Sequence, residues 1–179
     1  MNTLTAISTR YSHKEKFITS ATIPLSDLEK IAQAGLDAPS GVNRQTVQLI
    51  ILPNRESIDP LARIAPTAGM ETAPAAIAVL TDGNITPHDR TNFEKEDYSA
   101  AVQNILIAAT ALGYSSLWLD SPFFTVEAQT AAREVLGTPD SFHLWAVVPI
   151  GKPDGEGSRR EKLPFAQRVS YGRYGGVFS

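Results

Sequence analysis

The sequence predicts one layered α/β or α+β domain in which helices cover a central sheet. Segments with helical periodicity alternate along the chain with short runs of apolar and β-branched residues, as in a sheet packed between helices. The 179 residues are 42% hydrophobic and 20% charged, which suits a single domain with a sizeable core. One helical segment, residues 97–112, is apolar in nearly every direction around its axis. Such a helix must be buried on all sides.

The first helix and strand are predicted from local signals. A capping box from Ser26 to Glu29 follows a proline and begins a helix that should end near Leu36. Residues 46–52, TVQLIIL, are rich in apolar and β-branched side chains and are predicted to form a buried strand.

The next segments continue the alternation. Asp59 is predicted to cap a short helix over residues 60–65, with a proline at its first position. Residues 73–82, APAAIAVLTD, should form a second buried strand that ends at an Asp-Gly turn. Residues 83–96 are polar and are expected to form a mobile loop.

The C-terminal half begins with the long helix over 97–112, ended by a glycine. Because it is apolar all round, another subunit is expected to cover its second face. A third strand is predicted over 115–119, a helix from Thr125 to about residue 136, and a fourth strand over 144–150. The tail after residue 151 is too rich in glycine and basic residues for core, so it should be disordered or wrap a neighbour.

Composition excludes several classes of function. A net charge of -3 gives no broad positive field for nucleic acid, so any anion site must be local. The absence of cysteine excludes disulfides, thiolate catalysis and cysteine-bound metals. No signal-like segment and no run approaching the ~20 apolar residues of a membrane span is present, so the cytoplasm is the expected location.

Familiar catalytic motifs are also missing. There is no G-x-G-x-x-G, P-loop or G-x-S-x-G sequence. His13, His88 and His143 are far apart and lack a ligand partner at metal spacing, so we expect no metal site. With few candidates for acid or base catalysis, the chain should either use a borrowed cofactor or only bind a ligand.

Two cationic segments are candidates for binding a phosphate. In TRYSHKEKF, residues 9–17, an extended backbone would place Arg10, Ser12 and Lys14 on one side at intervals of roughly 7 Å. A guanidinium, a hydroxyl and an ammonium group together suit a phosphate. A second cluster, Arg159, Arg160 and Lys162, follows a glycine-rich stretch. Solvated turns or tails would carry such charges equally well, and for residues 9–17 alone that alternative is favoured.

Two further segments could contact a flat ligand. In APSGVNRQ, residues 38–45, small residues permit close backbone approach while Ser40, Asn43 and Gln45 offer donors and acceptors. An ordinary helix-to-strand connection would have a similar composition. In GYSSLWL, residues 113–119, a buried helix ends and a strand begins, and free backbone N–H groups there could face a ligand.

Taken in order, these segments resemble the nitroreductase family of FMN-dependent flavoproteins. TRYSHKEKF is similar to the family pattern R-x-S-x-[RK]-x-[FY], and APSGVNRQ to A-P-S-x-x-N-x-Q. AAVQNILIAATALGYSSLWL resembles the long central helix and following strand, and VVPIGKPDGEGSRREK the strand ending in [LI]-G-x-P before a basic patch. The resemblance covers about residues 5–170. Gln45 is followed by Thr46-Val47 instead of proline and an aromatic residue, and the segment 66–70 lacks the amide or lysine of many relatives.

The resemblance implies three groups of cofactor-binding residues and no catalytic side chain. The phosphate and polar ring edge of FMN would be bound by Arg10, Ser12 and Lys14, with Tyr11 contributing chiefly its backbone and with Arg160 and Lys162 completing the phosphate site. The isoalloxazine of the other subunit would be contacted by Pro39, Ser40 and Gly41, in a loop fixed by Asn43 and Gln45. Backbone near the flavin N5 and O4 would come from Ser115, Ser116 and Leu117.

The implied fold is an α+β three-layer sandwich, a mixed central sheet flanked by helices, assembled as an intertwined homodimer. Residues 1–179 would form one FMN-binding domain, of which about 152–179 is an extension toward the partner. The implied activity is ping-pong hydride transfer from NAD(P)H through the flavin to a nitroaromatic, quinone or similar small acceptor. Two alternatives are a non-catalytic flavin-binding sensor or storage module and a cofactor-free dimerisation domain.

Overall fold

In the computed structural model, which describes residues 1–84, 92–157 and 159–177, four antiparallel strands form the central sheet. They are β1 (Val47–Leu52), β2 (Ala75–Asp82), β3 (Ser115–Ser116) and β4 (Phe142–Gly151), in the order β1-β2-β4-β3. All three strand pairings are antiparallel. Among the described residues, a parallel component appears as a single bridge from Ser12 to Ser116 at the β3 edge.

The two central strands are mostly apolar because both of their faces are buried. In β2, Ala75, Ile77 and Val79 belong to one hydrophobic cluster, while the residues between them pack into another cluster on the opposite face. Side chains alternate between the faces of a sheet, so a continuous apolar run serves two cores at once. A register shift between Val79 and Leu80 interrupts the pairing with β4.

Helices cover both faces and complete three layers. They are α1 (Thr3–Thr9), α2 (Leu25–Leu36), α3 (Arg55–Ile64), α4 (Ala68–Thr72), α5 (Glu94–Ala111) and α6 (Val126–Leu136). Helices α2 and α5 pack on one face, and α3, α4 and α6 on the other. Short 3-10 turns occupy Gly41–Asn43, Ser121–Phe123 and Phe165–Gln167. This arrangement agrees with the α+β sandwich implied by the sequence resemblance.

The predicted start of α2 is wrong. The helix begins at Leu25 with Pro24 as its N-cap, and no side chain caps it, so Ser26 and Glu29 lie inside the helix. The Pro24 carbonyl accepts hydrogen bonds from the backbone N–H groups of both Asp27 and Leu28. The fixed φ of proline suits this entry, so the chain turns helical before the predicted capping box. The predicted end at Leu36 is confirmed.

The predicted start of α3 is also wrong. Asn54 caps the helix, with a reciprocal capping box to Ser57, so Asp59 and Pro60 lie inside it. The Asp59 carboxylate is instead bound by the Arg55 guanidinium one turn earlier. The side chains of Asn54 and Ser57 each accept a hydrogen bond from the other residue's backbone N–H, so the start of the helix is already capped at Asn54.

The C-terminal half departs from the prediction chiefly at element ends. Helix α5 begins at Glu94, inside the segment predicted as a loop, and residues 85–91 of that loop, with His88, lie outside the described residues. The third strand spans only Ser115–Ser116. Helix α6 confirms both predicted ends, since the Thr125 side chain caps its start and Gly137 adopts the left-handed conformation after its last turn.

Exposed apolar side chains occur in α1 and in the tail, among other places. Leu4 and Ile7 of α1 are exposed, although Ala6 between them is fully buried. In the tail, Leu163, Phe165 and Tyr171 are exposed as well. Within the described ranges, none of the helices has both the length and the apolar character needed to cross a bilayer.

Candidate functional site

The structure brings the two cationic segments together around one cavity of about 280 Å³, here called the anion pocket. It is lined by Arg10, Tyr11, Ser12, His13, Lys14, Glu15, Gly157, Arg160 and Lys162. Five of these are residues expected to bind phosphate, although they come from opposite ends of the chain. Arg159, the third cation of the tail cluster, does not line the cavity.

The N-terminal side of the anion pocket is held by strand β3. The backbone N–H of His13 donates to the Ser116 carbonyl at 3.0 Å, and Ser12 forms the parallel bridge to Ser116. This extended pairing makes side chains alternate, so His13 is buried while Ser12 and Lys14 are exposed. Ser12 and Lys14 thus lie on one side of this segment, while Arg10 is half-buried at the C-terminal end of α1.

His13 has a packing role that sequence reasoning missed. Its ring lies between Tyr11 and Phe17, with centroid distances of 6.0 and 4.6 Å. Its Nε2 is 2.9 Å from the Lys16 carbonyl oxygen. A carbonyl can only accept, so Nε2 carries the proton in this contact. The buried imidazole thus closes the turn that carries Lys14 to the pocket mouth.

The C-terminal side of the anion pocket depends on Gly157. A Cβ atom at this position would lie 2.1 Å from the Tyr11 ring. Only a residue without a side chain lets the tail pass so close to Tyr11. This close approach brings Arg160 and Lys162 to the same cavity as Arg10.

The positive charge of the anion pocket is not neutralised by ion pairs. Within the described parts of the chain, Arg10, Lys14, Arg160 and Lys162 have no carboxylate partner within 4.0 Å. Four cations and the Ser12 hydroxyl therefore face a cavity with one acidic group, Glu15, in its lining. Charge-assisted hydrogen bonds from such groups favour a phosphate.

The loop that was expected to contact a flat ligand lies at a separate cavity of about 240 Å³, here called the loop pocket. Its lining comprises Gly35, Leu36, Ala38, Pro39, Ser40, Gln45, Val47, Gln48, Asp97 and Ala101. Pro39, Ser40 and Gln45 line this cavity, while Gly41 and Asn43 do not. The loop pocket and the anion pocket share no lining residue.

The loop is held in an unusual backbone conformation. Val42, Asn43 and Gln45 have φ angles of 46°, 57° and 54°, in the left-handed region. Such residues cost about 1–3 kcal/mol each, and a β-branched valine is a genuine outlier there. The Ser40 side chain supports the loop by accepting a hydrogen bond from the Gln45 backbone N–H at 3.0 Å. Strain of this kind is typical of functional sites.

Asp97, in the first turn of α5, is a loop-pocket residue that the sequence analysis did not identify. Its side chain is 2% exposed and its two carboxylate oxygens accept separate hydrogen bonds. One comes from the Gly41 backbone N–H at 2.7 Å and the other from the Thr46 hydroxyl at 2.8 Å. The only signal in the sequence was an acidic residue at a helix start, which ordinarily reflects the helix dipole.

The third predicted group, residues 115–117, lies beside the N-terminal segment. The Ser115 and Tyr11 hydroxyls are 3.0 Å apart, and the Ser116 carbonyl accepts from His13. The backbone N–H of Leu117 donates to the Pro149 carbonyl at 3.3 Å, so residue 117 continues the contact with β4 beyond the end of β3. The Ser116 hydroxyl is buried without a hydrogen-bond partner in the described structure.

Tyr114, just before β3, ties this region to α2. Its hydroxyl donates to an Asp27 carboxylate oxygen at 2.9 Å, and the Lys152 ammonium lies 4.6 Å from its ring centroid. Hydrogen bonds from Lys30 and Tyr114 lower the pKa of Asp27. Burial and the bond to Asp27 raise the pKa of Tyr114. The start of β3 is thus fixed by a polar network outside the anion pocket.

Comparison with known proteins places this architecture among established relatives. The family model described as the nitroreductase family matches residues 7–68 and 63–152. A protein of Archaeoglobus fulgidus, provisionally named NADH dehydrogenase/NAD(P)H nitroreductase, is 37% identical over 134 residues, which is 73% of this chain and 74% of that protein. A protein of Methanothermobacter thermautotrophicus with the same provisional name is 30% identical over 155 residues, covering 86% and 78% of the two chains.

Solved structures have the same fold. A provisionally named NADH dehydrogenase/NAD(P)H nitroreductase from Parabacteroides distasonis superposes with a TM-score of 0.81 at 27% identity, covering 97% of this chain and 99% of that one. A provisionally named nitroreductase from Desulfovibrio desulfuricans, in complex with FMN, superposes with a TM-score of 0.80 at 25% identity, covering 94% and 95%.

Proposed function

The chain belongs to the nitroreductase family, and we propose that it is an FMN-dependent oxidoreductase. It takes a hydride from NAD(P)H and passes reducing equivalents to a nitroaromatic, quinone or similar small acceptor. The observation that carries this proposal is the anion pocket, in which Arg10, Lys14, Arg160 and Lys162 face one cavity without carboxylate partners in the described structure.

The residues of the anion pocket fit the phosphate group of FMN. The Arg10 and Arg160 guanidinium groups can each bind two phosphate oxygens, while Lys14 and Lys162 contribute point charges. The Ser12 hydroxyl adds a neutral donor. These contacts hold the cofactor by an end that does not react, so its ring can stay open to two substrates in turn.

FMN, when bound, supplies the hydride-accepting and hydride-donating chemistry. The protein then needs no nucleophile or general base, in keeping with the shortage of such groups in the sequence. Its own residues bind the phosphate, orient the ring from the loop 38–45 and from residues 115–117, and exclude water. Those of its cations that lie near the polar edge of the bound ring would stabilise negative charge on it.

The active form is a homodimer with two flavin sites in this proposal. The loop pocket and the anion pocket are separate in one chain, so residues 39–45 complete the site of a second copy. The exposed Leu4 and Ile7 of α1 and the exposed apolar side chains of the tail give such an interface apolar area to bury. Residues 152–179 act as the extension that reaches the partner.

The proposal is tested by reconstituting the purified protein with FMN and recording the flavin absorbance. We expect the absorbance to bleach on anaerobic addition of NADH or NADPH and to recover when a quinone is added. A flavin that binds but is reduced by neither nucleotide would favour the sensor or storage alternative, which the Thr46-Val47 departure from the family pattern supports. A protein that binds no FMN would favour the cofactor-free dimerisation domain.

A further inference from the structure

The Asp97 carboxylate joins both ends of the strained loop to helix α5. Its hydrogen bonds to the Gly41 backbone and the Thr46 hydroxyl, at 2.7 and 2.8 Å, are made at either end of residues 42–45. Three of those four residues have positive φ. One buried side chain therefore fixes the start and the end of the segment that carries the strain.

A second contact from the same helix end restricts the loop. A Cβ atom at Gly41 would lie 2.2 Å from the Phe93 side chain, so the loop backbone rests directly on the residue before α5. The Arg44 guanidinium also lies over the Phe93 ring, 5.6 Å from its centroid. Close packing and hydrogen bonding from α5 together over-determine the loop conformation, which is the condition for a strained backbone to persist.

A buried carboxylate is more than is needed merely to attach the loop to helix α5. Asp97 is 2% exposed, and no cation of the described structure forms an ion pair with it. Removing a carboxylate from water is costly, and here two neutral donors and the N-terminal end of α5 offset that cost. The two hydrogen bonds of Asp97 fix the position of the Gly41 backbone relative to the Thr46 hydroxyl, because each bond uses a different carboxylate oxygen.

We infer that Asp97 is a positioning residue that holds residues 39–45 in the conformation that contacts the flavin of the second subunit. This inference rests on the proposed function. Without Asp97, the Gly41 N–H and the Thr46 hydroxyl lose their acceptors, and Val42, Asn43 and Gln45 relax toward ordinary backbone angles. The loop then no longer presents its small residues to the ring in one orientation.

Two substitutions separate the hydrogen bonds from the negative charge. Asp97→Ala removes both bonds. Asp97→Asn can keep both, because its amide oxygen accepts from the Gly41 N–H and its amide nitrogen can donate to the Thr46 oxygen. Glu96→Gln is the matched control, since Glu96 is exposed in the same helical turn and loses the same charge.

The first measurement is hydrogen exchange at the Gly41 amide in the FMN-free protein. We expect Asp97→Ala to accelerate exchange by about tenfold or more, as one buried bond is lost. The second measurement is kcat and KM for a quinone in FMN-saturated protein, per mole of bound flavin, together with the Kd for FMN. We expect Asp97→Ala to lower kcat/KM at least about tenfold, because misplaced binding groups are costly. Asp97→Asn and Glu96→Gln should stay within about threefold of wild type in both measurements.

Each contrary result identifies what failed. If the Gly41 amide exchanges no faster in Asp97→Ala than in wild type, Asp97 does not hold the loop. If exchange is faster but kcat/KM and FMN affinity are unchanged, Asp97 has a structural role and no positioning role. If wild-type protein does not bind FMN, the proposed function is wrong. The exchange data on the FMN-free protein still show whether Asp97 holds the loop. If Asp97→Ala does not fold, Thr46→Val removes the bond at the other end of the loop and keeps the Gly41 bond. An unchanged kcat/KM and FMN affinity in Thr46→Val then overturns the positioning role.

Discussion

The hydroxyl groups of Tyr11 and Ser115 lie 3.0 Å apart and form a hydrogen bond between the N-terminal segment and strand β3. With the bond from His13 to Ser116, it fixes the segment that carries Arg10, Ser12 and Lys14 to the sheet edge. The tail reaches the same place by passing over Tyr11 at Gly157. The anion pocket is therefore a product of three separate parts of the chain, and each part can be tested.

The double substitution Arg10→Ala with Lys14→Ala should lower FMN retention strongly while leaving the fold intact. Two of the four cations that line the anion pocket are removed, and each charge-assisted hydrogen bond contributes about 1.5–3 kcal/mol. Isothermal titration calorimetry measures the affinity for FMN, and circular dichroism shows whether the fold is intact. Arg63→Ala with Lys95→Ala removes the same charge at exposed positions away from the pocket and is the control. FMN binding as tight as in wild type would show that the phosphate assignment is wrong.

Substitution of Gly157 should disrupt the anion pocket from the tail side. Gly157→Ala places a methyl group 2.1 Å from the Tyr11 ring, whose hydroxyl is held by Ser115, so either the ring or the tail with Arg160 and Lys162 must shift. We expect FMN affinity to fall about tenfold, comparable with the loss of one charged contact. In a Tyr11→Ala background, which also lacks the bond to Ser115, Gly157→Ala should lower the affinity no further, because the clashing ring is absent. An equal loss in both backgrounds would mean that Gly157 acts in some other way.

Gln129→Leu should destabilise the fold without involving the anion pocket. The buried amide of Gln129 donates to the carbonyls of Phe123 and Leu144 and accepts from the Leu144 backbone N–H. Leaving these three groups without partners should reduce the free energy of unfolding by about 3 kcal/mol or more. Urea denaturation measures the change, and Glu127→Gln, exposed on the same helix, should shift it by less than about 0.5 kcal/mol.

Asp27 should make stability depend on pH in the acid range. Hydrogen bonds from Lys30 and Tyr114 lower its pKa in the folded protein, so the ionised form favours folding. This contribution is fully present above the unfolded pKa of about 3.9 and is lost as pH falls through the lower folded value. Melting temperatures between about pH 6 and pH 2 should fall less steeply for Asp27→Asn than for wild type. Parallel curves would show that this network adds nothing to acid stability.

Local signals in the sequence determined much of the fold. The apolar runs of β2 and β4 were identified because burial on both faces leaves few polar positions, whereas β1 is a half-buried edge strand that was identified from its β-branched and apolar residues. Both ends of α6 followed from a threonine cap and a left-handed glycine. The capping chemistry of α2 and α3 was misassigned because several residues near each start could serve as a cap. Which of these neighbouring residues acts as the cap is decided only when the helix packs in the folded protein.

The same division applies to the candidate site. The sequence alone placed Arg10, Ser12 and Lys14 on one side of an extended segment, since strand alternation is a local property. The family resemblance implied that Arg160 completes the same site, but only the tertiary structure shows the close approach at Gly157 that brings it there. Only the tertiary structure joined Asp97 to Gly41. Contacts between distant parts of a chain depend on how the layers pack, and neither periodicity nor capping patterns carry that information.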